Sequence, residues 1–283
     1  MTGHIKRIAV LMTCYNRVLT TIECLKKLFA QEVPDGFNFD VYLVDDASPD
    51  STGKIVRDKF PMVNVIMGDG LFWCRGMRLA WDTACSKRDY SLFLWLNDDA
   101  ILSDGALSSL IQDYEYVKCN EGDDAVIVGT FSSTDDYTDV SYCVSNNGKK
   151  ISPNGKFPVL ADGDFNGNFV LIPESVFKKV GPIYNGYYHA FGDYDYSMLL
   201  RRYQVKVYAS SRFSGVCPEQ PQRYLHLKGR NLFQRIGLLF NPKGYCIHDA
   251  WLYRYRRSGF VRACISVAHV IFIVIFAREV NQI

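Results

Sequence analysis

Residues 92–99 read LFLWLNDD, an apolar run that ends in one amide and two adjacent carboxylates. Five apolar residues followed by polar ones predict a short strand over residues 92–96. The side chains of Asn97, Asp98 and Asp99 then follow the carboxyl end of that strand. In open α/β sheets, ligands bind beyond the carboxyl ends of the strands. This stretch therefore predicts a strand with a candidate site directly after it.

The chain on either side of this strand alternates between strand-like and helix-like patterns. The other predicted elements are strands at residues 8–12, 39–44, 63–67 and 166–172, and helices over residues 18–30, 76–85 and 104–117. Ser51 and Asp104 are expected to be the N-caps of two helices. Strands that alternate with helices predict an α/β fold with a doubly wound, mostly parallel central sheet flanked by helices.

Polar clusters follow three of the predicted strands, at residues 13–17, 45–50 and 97–99. The first turn contains neither GxGxxG nor GxxxxGK[ST], so the glycine-rich phosphate cradles of dinucleotide enzymes and P-loop proteins are missing there. A carboxylate-rich site repels phosphates unless a divalent cation lies between them. Asp98 and Asp99 offer the hard oxygen ligands that Mg²⁺ or Mn²⁺ prefers. The clusters therefore predict a cation-assisted phosphate site.

Composition limits the class of protein further. Hydrophobic residues make up 48% of the 283 residues and charged residues 22%, which is typical of a folded globular protein. A net charge of +2 predicts no strong attraction to polyanions, and we expect no nucleic acid partner. The nine cysteines include no CxxC pair, which favours free thiols and a cytoplasmic protein.

Six stretches, in this order, resemble the family 2 glycosyltransferases with the GT-A fold, in particular the bacterial rhamnosyltransferase-like members that build surface polysaccharides. The stretches are VLMTCYNR (residues 10–17), VDDASPD (44–50), LFWCRGM (71–77), WLNDDA (95–100), GNFVLI (167–172) and FGDYD (191–195).

This resemblance implies an inverting glycosyltransferase that uses a nucleotide diphosphate sugar, UDP- or dTDP-linked, with Mg²⁺ or Mn²⁺. It places Asp99 on the metal and makes Asp193 the catalytic base, with Tyr188 and Asp195 as candidate acceptor contacts. The expected nucleotide-sugar contacts are Thr13, Tyr15, Asn16, Arg17, Asp46, Trp73, Arg75, Asp98 and Gly167. The implied acceptor is a lipid-linked saccharide.

The chain also departs from the family pattern. Gly192 stands where the family usually has Glu, and residues 210–215 contain no His to complete a metal site, for which His226 or His248 could substitute. Other interpretations of the site residues stay open. Asp193 or Asp195 could cap the following helix, the aspartates at 45–46 could serve only the turn, and Trp73 and Tyr188 could be core aromatics.

The predicted catalytic domain covers residues 1–215. Its nucleotide-sugar half is expected at about 1–118 and its acceptor half at about 119–215, followed by a basic and apolar helical region at 216–283. Residues 263–277 are almost entirely apolar, and basic residues flank them. That pattern favours monotopic association of residues 251–280 with the inner face of the cell membrane. A core helix, a homodimer contact and a true membrane span are the alternatives.

Two other functions stay open at this point. A sugar-phosphate nucleotidyltransferase would share an α/β nucleotide-binding plan, but it needs a Gly-rich basic first turn that residues 13–17 lack. The other alternative is a non-catalytic protein that binds nucleotide sugars. Release of a nucleoside diphosphate would distinguish an active transferase from both.

Overall fold

The computed structural model describes residues 5–122, 124–219, 227 and 229–276, and the following elements lie within them. The strands are β1 (Lys6–Cys14), β2 (Phe37–Asp45), β3 (Val63–Met67), β4 (Leu92–Leu96), β5 (Ile101–Leu102), β6 (Val126–Ser132), β7 (Ser145–Asn146), β8 (Lys149–Lys150), β9 (Val159–Ala161), β10 (Phe169–Pro173) and β11 (Val207–Val216). The helices are α1 (Val18–Phe29), α2 (Thr52–Lys59), α3 (Phe72–Lys87), α4 (Ala106–Glu121), α5 (Glu174–Val180), α6 (Gly192–Arg202), α7 (Leu232–Phe240), α8 (Ile247–Ser258) and α9 (Phe260–Phe276).

A nine-stranded central sheet organises the molecule. Its strand order is β3-β2-β1-β4-β10-β6-β11-β5, and β9 pairs with β11. Strands β3, β2, β1 and β4 are mutually parallel, as are β6 and β11, whereas β10 runs antiparallel between β4 and β6. The predicted α/β fold with a mostly parallel sheet is therefore confirmed. Strands β3 and β4 also have the bounds that the sequence predicts.

Helices cover both faces of the sheet because its strands are apolar on both sides. Along β1, Ile8 and Val10 pack into one core cluster with α1 and α4, and Ala9 and Leu11 pack into a second cluster with α3 and α6. All five residues of β4 are buried. A parallel sheet with both faces covered explains why the predicted strands read as continuous apolar runs.

The structure differs from the sequence prediction in the first residue of α3 and of α4, and in the capping of α2. Helix α3 begins at Phe72, four residues before the predicted Gly76. Helix α4 begins at Ala106 behind Gly105, and Asp104 is exposed and makes no cap. Ser51 occupies the N-cap position of α2 without a side-chain cap; Asp50 accepts the hydrogen bond from the Thr52 N–H instead. The Phe72 N–H of α3 donates to Asp46, and the Ala106 N–H of α4 donates to the Ser103 carbonyl.

The C-terminal helices pack on one another and on the catalytic part of the chain. Leu238, Leu239 and Val274 form a small apolar cluster between α7 and α9, and α8 contacts α6. Among the helices of the described residues, none has both the length and the apolar character that a membrane crossing requires. Residues 277–280 of the predicted membrane segment, and His226, lie outside the described residues.

Candidate active site

The candidate site lies at the carboxyl ends of β1 and β4, which are neighbours in the sheet. The connection from β1 leads to β2 on one side, and β4 is on the other side, so a crevice opens between the two strand ends. Arg17, which follows β1, bridges the two carboxylates that follow β4. Its Nη1 lies 2.6 Å from Asp99 Oδ2 and 3.3 Å from Asp98 Oδ1. The first and third polar clusters of the sequence therefore meet.

The carboxylate of Asp98 is buried in this crevice. It accepts hydrogen bonds from Arg17 and from Thr21 Oγ1, the latter at 3.1 Å. Burial, together with the neighbouring charge of Asp99, raises the pKa of Asp98 to about 7, although Arg17 and Thr21 act in the opposite direction. The ionised form of Asp98 is thus disfavoured by burial and by Asp99, and positive charge beside the pair favours it. A further cation at this place would be stabilised.

The residues present fit a divalent cation that is shared with phosphates. Within residues 5–276 as far as they are described, no three His, Cys, Asp or Glu side chains come together as a metal-binding group. Mg²⁺ commonly uses one or two carboxylates and takes its remaining ligands from substrate phosphates and water. Asp99 is suited to this role because its side chain is 20% exposed, whereas Asp98 is buried. The site therefore matches a phosphate-bridged ion rather than a closed protein cage.

Cys217 is a site neighbour that the sequence reasoning missed. It follows β11, and its Sγ lies 3.9 Å from Asp99 Oδ1. Burial and the charge of Asp99 raise the pKa of Cys217 to about 12, so the thiol is neutral near pH 7.

His248 is one of the two histidines that could substitute for the missing metal-binding His. Its Nδ1 lies 3.0 Å from Asp249 Oδ1. Its ring packs against Tyr188, with the two ring centres 5.1 Å apart.

Asp46 fixes the start of α3. Its two carboxylate oxygens accept hydrogen bonds from the N–H groups of Leu71 and Phe72, at 2.7 and 2.8 Å. An anion at a helix N-terminus is stabilised by the free N–H groups there, which explains why α3 begins earlier than the sequence predicts. An ionised carboxylate offers about four acceptor positions. The predicted contact of Asp46 with the nucleotide sugar stays a prediction that this geometry allows.

Trp73 connects the two sides of the site. Its Nε1 donates a hydrogen bond to Asn97 Oδ1 at 2.8 Å, and its ring lies directly over Gly167. A Cβ at position 167 would lie 2.5 Å from the indole, which no real Cβ tolerates. Glycine is therefore required at residue 167 so that the turn before β10 can pack closely against Trp73 of α3.

This close approach leads to a stability prediction. Gly167→Ala is expected to lower the free energy of unfolding by about 1–3 kcal/mol, because the added methyl group must displace Trp73 or the β10 backbone. Urea denaturation followed by circular dichroism measures the change. Gly237→Ala in α7 is the matched control, since nothing lies within 4 Å of its added methyl group. Equal stability of the two variants would contradict the packing argument.

Asp193, the predicted catalytic base, lies at the second position of α6. Its Oδ2 accepts a hydrogen bond from the Gly167 N–H at 3.2 Å and its Oδ1 from the Tyr194 N–H at 2.9 Å. The N-cap residue of α6 is Phe191, so Asp193 does not occupy the cap position that the alternative interpretation required. Burial raises the pKa of Asp193 to about 6. A carboxylate with such a pKa is suited to accept a proton near neutral pH.

The glycine before Asp193 has a steric explanation. A Cβ at Gly192 would lie 2.5 Å from Cys74 Sγ and 3.0 Å from the Ile183 side chain. The space that a family glutamate would need is therefore filled by α3 and by the loop before α6.

Asp195 has a structural role, which corrects its predicted contact with the acceptor. Its carboxylate is 1% exposed and forms a bidentate ion pair with Arg256, with N–O distances of 2.8 and 3.0 Å. Tyr187 donates a further hydrogen bond to it at 3.0 Å. A buried carboxylate engaged by these three donors ties α6 to α8, and we therefore do not place Asp195 in the acceptor site.

The remaining predicted residues lie around the same crevice. Thr13 is buried against Gly76, and the Asn16 N–H donates to Ser48 Oγ at 2.9 Å. Tyr15 is exposed, and the Lys243 ammonium lies 4.8 Å from its ring centre. Lys243 belongs to the turn between α7 and α8, and no local signal in the sequence connects it with residue 15.

Tyr188 lies in the loop before α6 and contacts the start of α3. The guanidinium of Arg75 lies 3.8 Å from the centre of its ring, a cation–π contact that holds α3 against the loop before α6. The Tyr188 carbonyl also accepts a hydrogen bond from the Cys74 N–H at 3.0 Å. The two predicted residues, one assigned to the donor and one to the acceptor, thus contact each other.

The fold is an open α/β sheet of the class whose ligands bind at the switch point of the strand order. The sequence model of glycosyl transferase family 2 matches residues 9–177, which is more than half of the chain. The protein therefore belongs to glycosyltransferase family 2. No curated protein matches it significantly in sequence.

Solved structures agree with this assignment at the level of the fold. Residues 1–349 of TarS from S. aureus superpose with a TM-score of 0.52 at 13% identity, covering 97% of this chain and 76% of that chain. The same part of TarS in complex with UDP-GlcNAc gives a TM-score of 0.53 at 13% identity, covering 90% and 73%. These likenesses identify the sheet and its helices as a GT-A fold.

Proposed function

We propose that this family 2 glycosyltransferase inverts the anomeric centre of a nucleoside diphosphate sugar while it transfers the sugar to a hydroxyl group of a lipid-linked saccharide. The observation that carries the proposal is the link from Asp193 through the Gly167 N–H and Trp73 to Asn97, which directly precedes the carboxylate pair. A candidate base and a candidate phosphate site thus share one edge of the sheet.

Asp193 acts as the general base in this proposal. The acceptor oxygen attacks the anomeric carbon, the bond from that carbon to the diphosphate oxygen breaks, and the hydroxyl proton passes to the Asp193 carboxylate. The two N–H groups that hold the carboxylate fix its direction, and its raised pKa makes it a better proton acceptor. General-base catalysis of this kind typically contributes about 10²–10⁴-fold.

Asp99 would hold Mg²⁺ or Mn²⁺ together with the diphosphate of the donor. When bound, the cation neutralises charge on the leaving diphosphate. Arg17 supports the same function, because its guanidinium carries positive charge at the carboxylate pair. The donor is UDP- or dTDP-linked in this proposal; the complexes of TarS with UDP-GlcNAc and with UDP support a uridine nucleotide.

The proposal is tested by nucleotide release. Purified protein is first screened by thermal shift against nucleotide sugars with Mn²⁺, since a donor at 100 times its Kd stabilises the fold by about 2.7 kcal/mol. The stabilising donor is then incubated with and without saccharide acceptors. Acceptor-dependent release of nucleoside diphosphate is expected. Binding without release would favour the non-catalytic alternative, and pyrophosphate release from a nucleoside triphosphate would favour the nucleotidyltransferase.

The lipid-linked acceptor is supported by the outer surface of the C-terminal helices. Several large apolar side chains there are exposed, and the cationic side chains of Arg254 and Arg262 are exposed near them. The exposed apolar residues are Leu232, Phe233, Phe240, Phe260, Val261, Ile265, Phe272 and Phe276. An apolar face beside cationic side chains suits the surface of an anionic membrane. We place α9 at the inner face of the cell membrane, with its Ala263 and Val274 side packed on protein.

Membrane contact is tested with substitutions on exposed side chains. The double variant Ile265→Glu/Phe272→Glu is expected to lower the affinity for phosphatidylglycerol vesicles by about 10²-fold, because burial of each side chain contributes about 1.5–3 kcal/mol. Flotation at increasing lipid concentration measures this affinity. Phe157→Glu/Leu160→Glu is the matched control, since it adds the same charge at residues of similar exposure outside the C-terminal helices. Equal flotation of both variants would refute contact through α9. Wild-type protein that stays off the vesicles and sediments as a dimer, which Ile265→Glu/Phe272→Glu dissociates, would identify α9 as a homodimer contact.

A further inference from the structure

A carboxylate from the C-terminal region binds the backbone of the loop that leads to Asp193. Asp249, in the first turn of α8, is completely buried. Its oxygens accept hydrogen bonds from the N–H groups of Tyr188 at 3.1 and 3.2 Å, His189 at 3.0 Å and Ala190 at 3.2 Å. Three consecutive amides that point at one anion form a nest, a geometry that binds negative charge well.

The same loop is held from the other side by α3. The Tyr188 carbonyl accepts from the Cys74 N–H, and its ring lies under Arg75. Directly after Ala190, Phe191 adopts a left-handed conformation with φ of 69°, and α6 begins at Gly192. The side chain of Asp249 thus binds three N–H groups of the loop directly before α6. Because this loop leads into α6, it determines where Asp193 lies.

We infer that Asp249 is a positioning residue for Asp193, so that the C-terminal region completes the active site. This inference rests on the proposed function, since it assigns Asp249 a role in the reaction for which Asp193 is the base. Loss of the anion leaves three buried N–H groups without their partner, and the loop must rearrange to satisfy them. A displacement of about 1 Å at a reacting group can cost about 10²-fold in rate.

Another contact between α8 and the catalytic domain provides a matched control. Arg257 Nη1 lies 3.0 Å from Asp164 Oδ2, so Arg257→Gln weakens the docking of α8 without touching residues 188–190, and Asp164 keeps its charge and its ion pair with Arg201. Asp249→Asn keeps the shape of the side chain but removes its charge and one acceptor oxygen. If Asp249 only helps α8 to dock, the two variants should behave alike.

The test compares the two variants in transfer and in donor binding. Asp249→Asn is expected to lower kcat at least tenfold while the Kd of the donor, measured by calorimetry, stays within twofold of wild type. Arg257→Gln is expected to leave both values within twofold. A kcat of Asp249→Asn equal to that of Arg257→Gln, or an equal loss of donor affinity and kcat, would overturn the inference. A wild-type protein without any transfer would contradict the proposed function itself.

Amide hydrogen exchange of the wild-type protein tests the hydrogen bonds between residues 188–190 and Asp249 independently of any variant. The amides of residues 188–190 are expected to exchange much more slowly than those of the exposed turn at residues 134–138. Exchange at the same rate as that turn would show that Asp249 does not hold the loop, and would overturn the inference even if Asp249→Asn failed to fold.

Discussion

Asp193→Asn is expected to lower kcat by about 10²-fold or more while the donor Kd stays near the wild-type value. The substitution keeps the size of the side chain and one oxygen that can accept from Gly167 or Tyr194, but the amide cannot take the acceptor proton. The change acts on the chemical step rather than on donor binding, so single-turnover measurements with saturating donor are the decisive experiment.

The pH dependence of the wild-type enzyme provides the control for this variant. Asp193 works only as the carboxylate, and burial raises its pKa to about 6. The rate is therefore expected to rise with pH through about 6 and then to level off, and this limb should be absent from Asp193→Asn. A kcat close to that of the wild type in the variant would remove Asp193 from the mechanism.

Asp99→Asn is expected to weaken binding of the donor in the presence of Mn²⁺ by about 10²-fold and to make the remaining binding independent of the metal. Changes in outer-shell groups around protein metals already cost about 10–100-fold, and Asp99 would be a direct ligand. The asparagine keeps the shape beside Arg17 and Cys217 but removes the charge that both residues contact.

Calorimetric titration of donor into this variant, with Mn²⁺ and with chelator, measures the effect. The wild-type protein should show a large difference between the two conditions, and the variant should show almost none. Donor binding by Asp99→Asn with an unchanged metal requirement would mean that another group holds the cation. Asp104→Asn is the matched control, since Asp104 is an exposed acid a few residues further along the chain.

The sequence predicts the parallel sheet well because its signals are local. The apolar runs of β3 and β4 give their own bounds, and the polar clusters after β1 and β4 are placed by the strand direction alone. The meeting of Arg17 with Asp98 and Asp99 follows from that direction once the strands are adjacent.

Other parts of the site depend on contacts between distant residues, which no local pattern encodes. The early start of α3 needs the carboxylate of Asp46, 25 residues before Leu71. The burial of Asp195 depends on Arg256, and the fixed loop depends on Asp249, about 60 residues further along the chain. A sequence pattern shows that these side chains are charged but cannot show which partner neutralises them.

The packing of Gly192 against Cys74 limits how this chain could acquire the glutamate of its relatives. A larger side chain at residue 192 collides with Sγ of Cys74, while Cys74 also donates its own N–H to the loop through the Tyr188 carbonyl. The two positions are therefore epistatic: alanine or glycine at residue 74 removes the nearest obstacle, and Gly192→Glu is expected to cost less stability in that background, where the Ile183 side chain is the remaining close neighbour. Residues 74 and 192 are therefore expected to change together as mutations accumulate, rather than independently.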